Sequence, residues 1–152
     1  MSHESYIRRE TLVSMVINGV LSLVFFLLVF GFAQHIPVWG MGNFVFDFIP
    51  QSFMISLMST LVPGALTAKR LGAGALSPSD RPSRLPRSLI LRALLLAILS
   101  AIVGTAIVAA LATASGVAQV EWSAALALKI VYGVILGAFV TPIGLRAALA
   151  GR

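Results

Sequence analysis

"SLILRALLLAILSAIVGTAIVAALAT", residues 88–113, is an almost unbroken apolar run with a single charged residue, Arg92. An α-helix rises about 1.5 Å per residue, so roughly 20 residues cross the roughly 30 Å hydrocarbon core of a bilayer. Apolar residues surround the predicted helix on every side, which is typical of a helix covered by lipid or by other helices. The stretch therefore predicts a membrane-spanning helix.

Three further stretches have the same character: residues 11–33, 44–66 and 123–147. Hydrophobic residues make up 59% of the 152 residues, more than a soluble domain of this length needs. The first apolar stretch is longer than the 7–15-residue core of a cleaved signal peptide, so we expect it to remain as a helix. The chain is predicted to be all-α, a polytopic membrane protein with four transmembrane helices and short tails at residues 1–10 and 148–152.

The basic residues lie on one side of this predicted bundle. Ten of the eleven lysines and arginines precede the first span, lie in or beside the linker at residues 67–87, or lie at or after the end of the fourth span. The opposite connections, "QHIPVWGMGN" and "ASGVAQVEW", contain none. The positive-inside rule thus predicts a multi-pass protein of the bacterial inner membrane with both termini cytoplasmic. Its proline- and arginine-rich linker is expected to be extended, solvated and attracted to anionic lipid headgroups.

The chain also divides into two similar halves. A shift of 79 residues aligns Pro63 with Pro142, and each half has a basic residue, a span, a loop without lysine or arginine and a second span with a proline near its inner end. We predict a duplicated helical hairpin, residues 11–66 and 88–147. Because each copy has an even number of spans, the two are expected to be parallel repeats. A pseudo-symmetric bundle without transport activity fits this pattern equally well.

Three short motifs carry a family resemblance: "NGVLSLVFF" at 18–26, "TLVPGALTAKR" at 60–70 and "VTPIGLR" at 140–146. They place a serine in a first helix, and a proline before a basic cluster in a second helix. In this respect the chain resembles small bacterial inner-membrane families of unknown function built from one two-helix hairpin, here as a tandem duplication. The resemblance implies an architecture and no known reaction.

A few polar side chains fall inside the predicted spans. Asp47 begins the second helix, Gln51 lies one turn deeper, and Lys129 lies about two turns into the fourth helix. We predict an ion pair between Asp47 and Lys129, and a polar path that includes Gln51 and Asn18. An ionisable residue inside a membrane is a functional-site hypothesis by default. The alternatives are that Lys129 extends to the outer surface and that Asn18 only joins helices.

Small residues recur every four positions on the third and fourth helices: Ala97, Ala101, Gly133 and Gly137. Such residues let helix backbones approach closely in membranes, so we expect the third and fourth helices to pack together, with Gly133 and Gly137 as a GxxxG face. Pro63 and Pro142 lie about one turn from the inner ends of their helices. They are candidate hinges, although proline is frequent in membrane helices.

Catalysis and metal binding are not expected. The chain has no cysteine, and its two histidines are predicted to lie on opposite sides of the membrane. Neither a glycine-rich phosphate loop nor a nucleophile elbow is present. We therefore expect no enzymatic activity, no cofactor and no metal site. Its basic residues are not interleaved with aromatic ones, so nucleic acid is not an expected partner either.

Two functional hypotheses remain open. The first is a small, oligomeric, permease-like protein with Lys129, Asp47, Gln51 and Asn18 along its path. The second is a non-catalytic membrane subunit or scaffold that packs against other transmembrane helices. The expected partners are the lipid bilayer and either further copies of this chain or other membrane proteins.

Overall fold

The computed structural model describes residues 2–150. Four helices make up most of this range: α1 (His3–Phe30), α2 (Phe48–Gly72), α3 (Leu89–Ser115) and α4 (Trp122–Leu149). Each is long and apolar enough to cross a membrane. The prediction of an all-helical fold with four such helices is confirmed. The length and apolar composition of the helices support a multi-pass membrane protein.

The helices are longer than the apolar stretches that predicted them. α1 begins at His3 instead of residue 11, because Ser2 caps it by accepting a hydrogen bond from the Ser5 N–H at 3.2 Å. Most of the predicted N-terminal tail is therefore helical. α2 likewise continues to Gly72, beyond the predicted end of its span. Hydropathy detects only the segment suited to lipid, whereas a helix continues for as long as its ends are capped or packed.

One end of the bundle carries a small β-ribbon. Strand β1 (His35–Pro37) pairs antiparallel with β2 (Gln119–Glu121), with Ile36 opposite Val120. The Trp122 indole N–H, just after β2, donates to the Gly31 carbonyl at 2.7 Å. We call this the ribbon end, formed by residues 31–47 and 116–122. The two loops without lysine or arginine are thus joined by backbone and side-chain hydrogen bonds, which hydropathy alone did not indicate.

Helix packing does not follow the order of the helices in the chain. α1 packs mainly on α4, α3 packs mainly on α2, and α2 contacts α4, whereas the consecutive pairs α1 with α2 and α3 with α4 make few contacts. The first helix of each half thus packs on the second helix of the other half. The two predicted hairpins are interleaved.

This packing corrects the expected partner of the glycine face on α4. A Cβ atom on Gly133 would collide with the Ser22 hydroxyl, and one on Gly137 would collide with the Asn18 amide. The glycines therefore face α1, while α3, which carries buried Ala97 and half-buried Ala101, lies mainly against α2. Small residues indicate that a helix face is closely covered, but not which helix covers it.

The other end of the bundle is closed by the linker between α2 and α3. The Ser79 N–H donates to the Leu149 carbonyl at 2.7 Å, and the His3 ring Nε2 lies 2.9 Å from the Ser77 carbonyl oxygen. Leu76 is buried in a cluster with Tyr6. We call this the basic end, formed by the first turns of α1, residues 73–88 and the last turn of α4. The linker is largely exposed, as expected, but it is held against the bundle at these points.

Candidate functional site

Polar side chains of α1, α2 and α4 meet along the line where these three helices touch. On α1, Ser14, Asn18 and Ser22 recur at four-residue spacing and so share one face. We call the whole set the polar seam and divide it into three clusters. These are the ribbon-side cluster of Asp47, Gln51, Lys129 and Ser22, the middle cluster of Ser14, Asn18, Ser59 and Thr141, and the basic-side cluster of Tyr6 and Thr67.

An ion pair lies in the ribbon-side cluster. The Lys129 ammonium donates to Asp47 Oδ2 at 2.8 Å, and the two side chains are 1% and 15% exposed. The lysine side chain is thus inside the protein and does not extend along the lipid-facing surface. Buried ions need both an opposite charge and further polar or aromatic contacts to offset their lost hydration.

Aromatic rings supply such contacts to Lys129. Its Nζ lies 3.6 Å from the centroid of the Phe48 ring, with the Phe44 ring at 5.4 Å and the Phe30 ring at 6.0 Å. Cation–π attraction of this kind stabilises a poorly hydrated ammonium. Sequence reasoning missed these three residues because phenylalanine is common in membrane helices. The only sequence signal for these contacts was that Phe44 and Phe48 lie close to Asp47, on either side of it in the chain.

Gln51 connects all three helices of the seam. Its Nε2 donates to the Ser22 hydroxyl at 3.1 Å and to the Lys129 carbonyl at 3.0 Å. Its Oε1 is buried and has no hydrogen-bond partner within residues 2–150, and the same is true of the Ser56 hydroxyl. Buried polar atoms are normally hydrogen-bonded, so these two oxygens are unusual. Gln51 belongs to the ribbon-side cluster, and Ser56 lies on α2 between Gln51 and Ser59 of the middle cluster.

Asn18 lies in the middle cluster and not with the ion pair. Its Nδ2 donates to the Ser59 hydroxyl at 2.9 Å and to the Ser14 hydroxyl at 3.2 Å, and Thr141 donates to Ser14 at 2.8 Å. The Asn18 amide occupies the space that Gly137 leaves open by lacking a side chain. A glycine on α4 therefore allows an amide on α1 to lie between helices.

The seam ends near the basic end with a third contact. The Tyr6 hydroxyl lies 2.9 Å from Thr67 Oγ1, and both residues are fully buried. Pro63 lies between the middle cluster and Thr67 on α2, and Pro142 directly follows Thr141 on α4. Both helices continue through their prolines. Each candidate hinge therefore lies on its helix just beyond the middle cluster, on the side of the basic-side cluster.

The structure thus brings three of the four predicted path residues together and places the fourth farther along the same seam. No group of three or more His, Asp or Glu residues that could hold a metal ion occurs in the described part of the chain. Comparison of the chain with protein-family models, with curated proteins and with solved structures found no match.

Proposed function

We propose that the chain is a small permease-like protein of the bacterial inner membrane, with both termini cytoplasmic, in which the polar seam conducts protons or a small polar solute. The observation that supports it is the buried ion pair between Lys129 and Asp47 at one end of a seam of hydroxyl and amide groups. Charges inside a membrane are costly to bury, and those found there commonly mark ion and substrate pathways.

The chemistry of the seam suits a small polar species. Serine, threonine and tyrosine hydroxyls both donate and accept, so they can exchange hydrogen bonds with water or with a small neutral molecule. Gln51 Oε1 and the Ser56 hydroxyl have acceptor sites that no group within residues 2–150 uses. In this proposal they receive hydrogen bonds from the species that passes between the ribbon-side and middle clusters.

The prolines provide a means of opening the seam. A proline inside a helix removes one backbone hydrogen bond and permits bending. Pro63 and Pro142 lie on α2 and α4, the two helices that touch at the centre of the bundle. Bending at both would open the middle cluster towards the basic end. A duplicated hairpin would explain why each half contributes one such helix.

Purified protein in liposomes tests this function. Proton entry is followed with an enclosed pH-sensitive dye, and glycerol entry by light scattering. We expect one of these fluxes to exceed that of protein-free liposomes, and Asp47→Asn to reduce it about tenfold, as removal of about 1.4 kcal/mol of stabilisation along the path would do. Glu4→Gln, the same charge change at an exposed position outside the seam, is the control. A folded protein that passes neither probe would overturn the proposal.

A second candidate is the scaffold function, and the surface of α3 favours it. α3 packs mainly on α2 and exposes Ala106, Ala110 and Ala114 at four-residue spacing. Small residues in such a row permit close approach of a further helix. If this were the function, Ala110→Phe would remove a copurifying membrane protein, whereas Asp47→Asn would leave it bound.

A further inference from the structure

A cavity of about 1220 Å³ lies at the basic end, on the other side of the molecule from the ion pair. The ends of α2, α3 and α4 form its walls together with the linker. Small residues such as Gly64 and Ala147 form part of its lining. Four charged residues line it: Asp80, Arg81, Arg87 and Arg92. Three of them are arginines and one is an aspartate, so the lining has a net positive charge.

Arg92 is the unusual member of this set. Its residue is only 4% exposed, its Nη1 donates to the Pro86 carbonyl at 3.3 Å, and its Nε has no hydrogen-bond partner within residues 2–150. No carboxylate of the described chain forms an ion pair with it. A buried guanidinium normally has an anionic partner, because one long bond to a neutral carbonyl offsets little of its lost hydration.

The position of Arg92 on α3 strengthens this argument. It lies in the first turn of the helix, which begins at Leu89, and Arg87 directly precedes the capping residue Ser88. The N-terminus of a helix carries partial positive charge, so cations are unfavourable there and anions are favourable. Two arginines at this terminus, one of them buried without a partner, would both be stabilised by an anion in the cavity.

We infer that this cavity is an anion site that binds a phosphate group, with Arg92 as its buried ligand and Arg87 and Arg81 at its opening. Guanidinium groups bind phosphate oxygens through two parallel N–H bonds, which a lysine cannot do. The phosphate can belong to a lipid headgroup or to a soluble phosphate compound. This site does not depend on the proposed transport function, since it shares no residue with the polar seam.

Two measurements on the full chain distinguish the two sources. In nanodiscs of phosphatidylcholine, inorganic phosphate is titrated at constant ionic strength while the thermal unfolding midpoint is followed. In parallel, native mass spectrometry counts the phosphatidylglycerol molecules that remain bound after detergent extraction. Stabilisation by inorganic phosphate would identify a soluble ligand, and retention of phosphatidylglycerol alone would identify a lipid headgroup.

Variants then test the assigned residues. Arg92→Gln and Arg87→Gln are each expected to weaken binding about tenfold, the usual scale for loss of one charge-assisted contact. Arg92→Lys keeps the positive charge but loses the two parallel N–H donors of the guanidinium group. It should therefore also bind phosphate more weakly. The control is Arg9→Gln, an exposed arginine of α1 outside the cavity, which should bind as the unchanged protein does.

Two results would overturn the inference. One is the absence of binding by both inorganic phosphate and phosphatidylglycerol. The other is an equal loss in Arg9→Gln and Arg87→Gln, which would mean that surface charge alone attracts the anion. If Arg92→Gln fails to fold, exposed Arg87 still provides the comparison.

Discussion

At the scale of single residues, Lys129 and Asp47 are unequal partners. The ammonium is enclosed by protein and aromatic rings, whereas the carboxylate retains some access to solvent. Removing one member of a buried pair leaves the other uncompensated, and the penalty depends on how deeply that remaining group is buried. The two ends of the same hydrogen bond should therefore respond differently to substitution.

We predict that Asp47→Asn destabilises the fold more than Lys129→Met. The first leaves a buried ammonium without its anion, with an expected loss of about 3 kcal/mol in the free energy of unfolding. The second leaves a carboxylate that can be hydrated, and methionine fills most of the space of the lysine stem. Unfolding by denaturant in detergent micelles measures both. The double variant should be more stable than Asp47→Asn alone, and equal losses in the two single variants would contradict this description.

At the scale of the helices, small residues in the interior allow two helices to approach closely. Gly133 and Gly137 give α1 its close approach to α4, and the amide of Asn18 fits against the second of them. Gly19 makes the corresponding contact from α1, because a Cβ on it would lie 3.2 Å from Val134 Cγ2. The pairing of α1 with α4 thus uses glycines on both helices.

Engineered cysteines test this pairing, since the chain has none of its own. Gly19→Cys combined with Val134→Cys should form a disulfide on mild oxidation, because a Cβ atom at position 19 would lie within contact distance of the Val134 side chain. The control combines Val134→Cys with Ile98→Cys, a position that is 51% exposed on α3, a helix that makes few contacts with α4. A gel mobility shift reports the cross-link. Cross-linking in the control pair and not in the test pair would mean that the two predicted hairpins pack separately.

At the scale of the whole molecule, the charges are separated from the apolar surface. Apart from Lys129, the basic residues of the described chain lie at or beside the basic end and the ribbon end has none, while exposed apolar side chains cover the helices between them. Such a surface is suited to a bilayer, with the apolar belt against lipid. The positive-inside rule predicts that the basic end faces the cytoplasm.

We predict that Met41→Cys is labelled by a membrane-impermeant thiol reagent applied to intact inner-membrane vesicles of right-side-out orientation. Met41 is 92% exposed at the ribbon end, which is expected to face outwards. Ala73→Cys, exposed at the basic end, should react only after the vesicles are opened. Mass spectrometry of the labelled chain reads the result. The reverse pattern would place the basic end outside, against the positive-inside rule.

The sequence by itself determined the four helices and the separation of charge, and it indicated the pairing of Asp47 with Lys129 as one of two alternatives. Each depends on local properties: the hydropathy of about 20 consecutive residues, the location of basic residues, and the depth of a side chain along a helix. Three of the four predicted path residues could be grouped for the same reason, because depth along two spanning helices limits which side chains can meet.

Only the tertiary structure decided which helices pack together. A row of alanines or glycines is equally compatible with any close neighbour, so the contact of α1 with α4 could not be predicted from Gly133 and Gly137 alone. The same limit applies to the phenylalanine rings around Lys129 and to the cavity at Arg92. Both are formed by segments far apart in the chain, and their positions depend on the order in which the helices are arranged around one another.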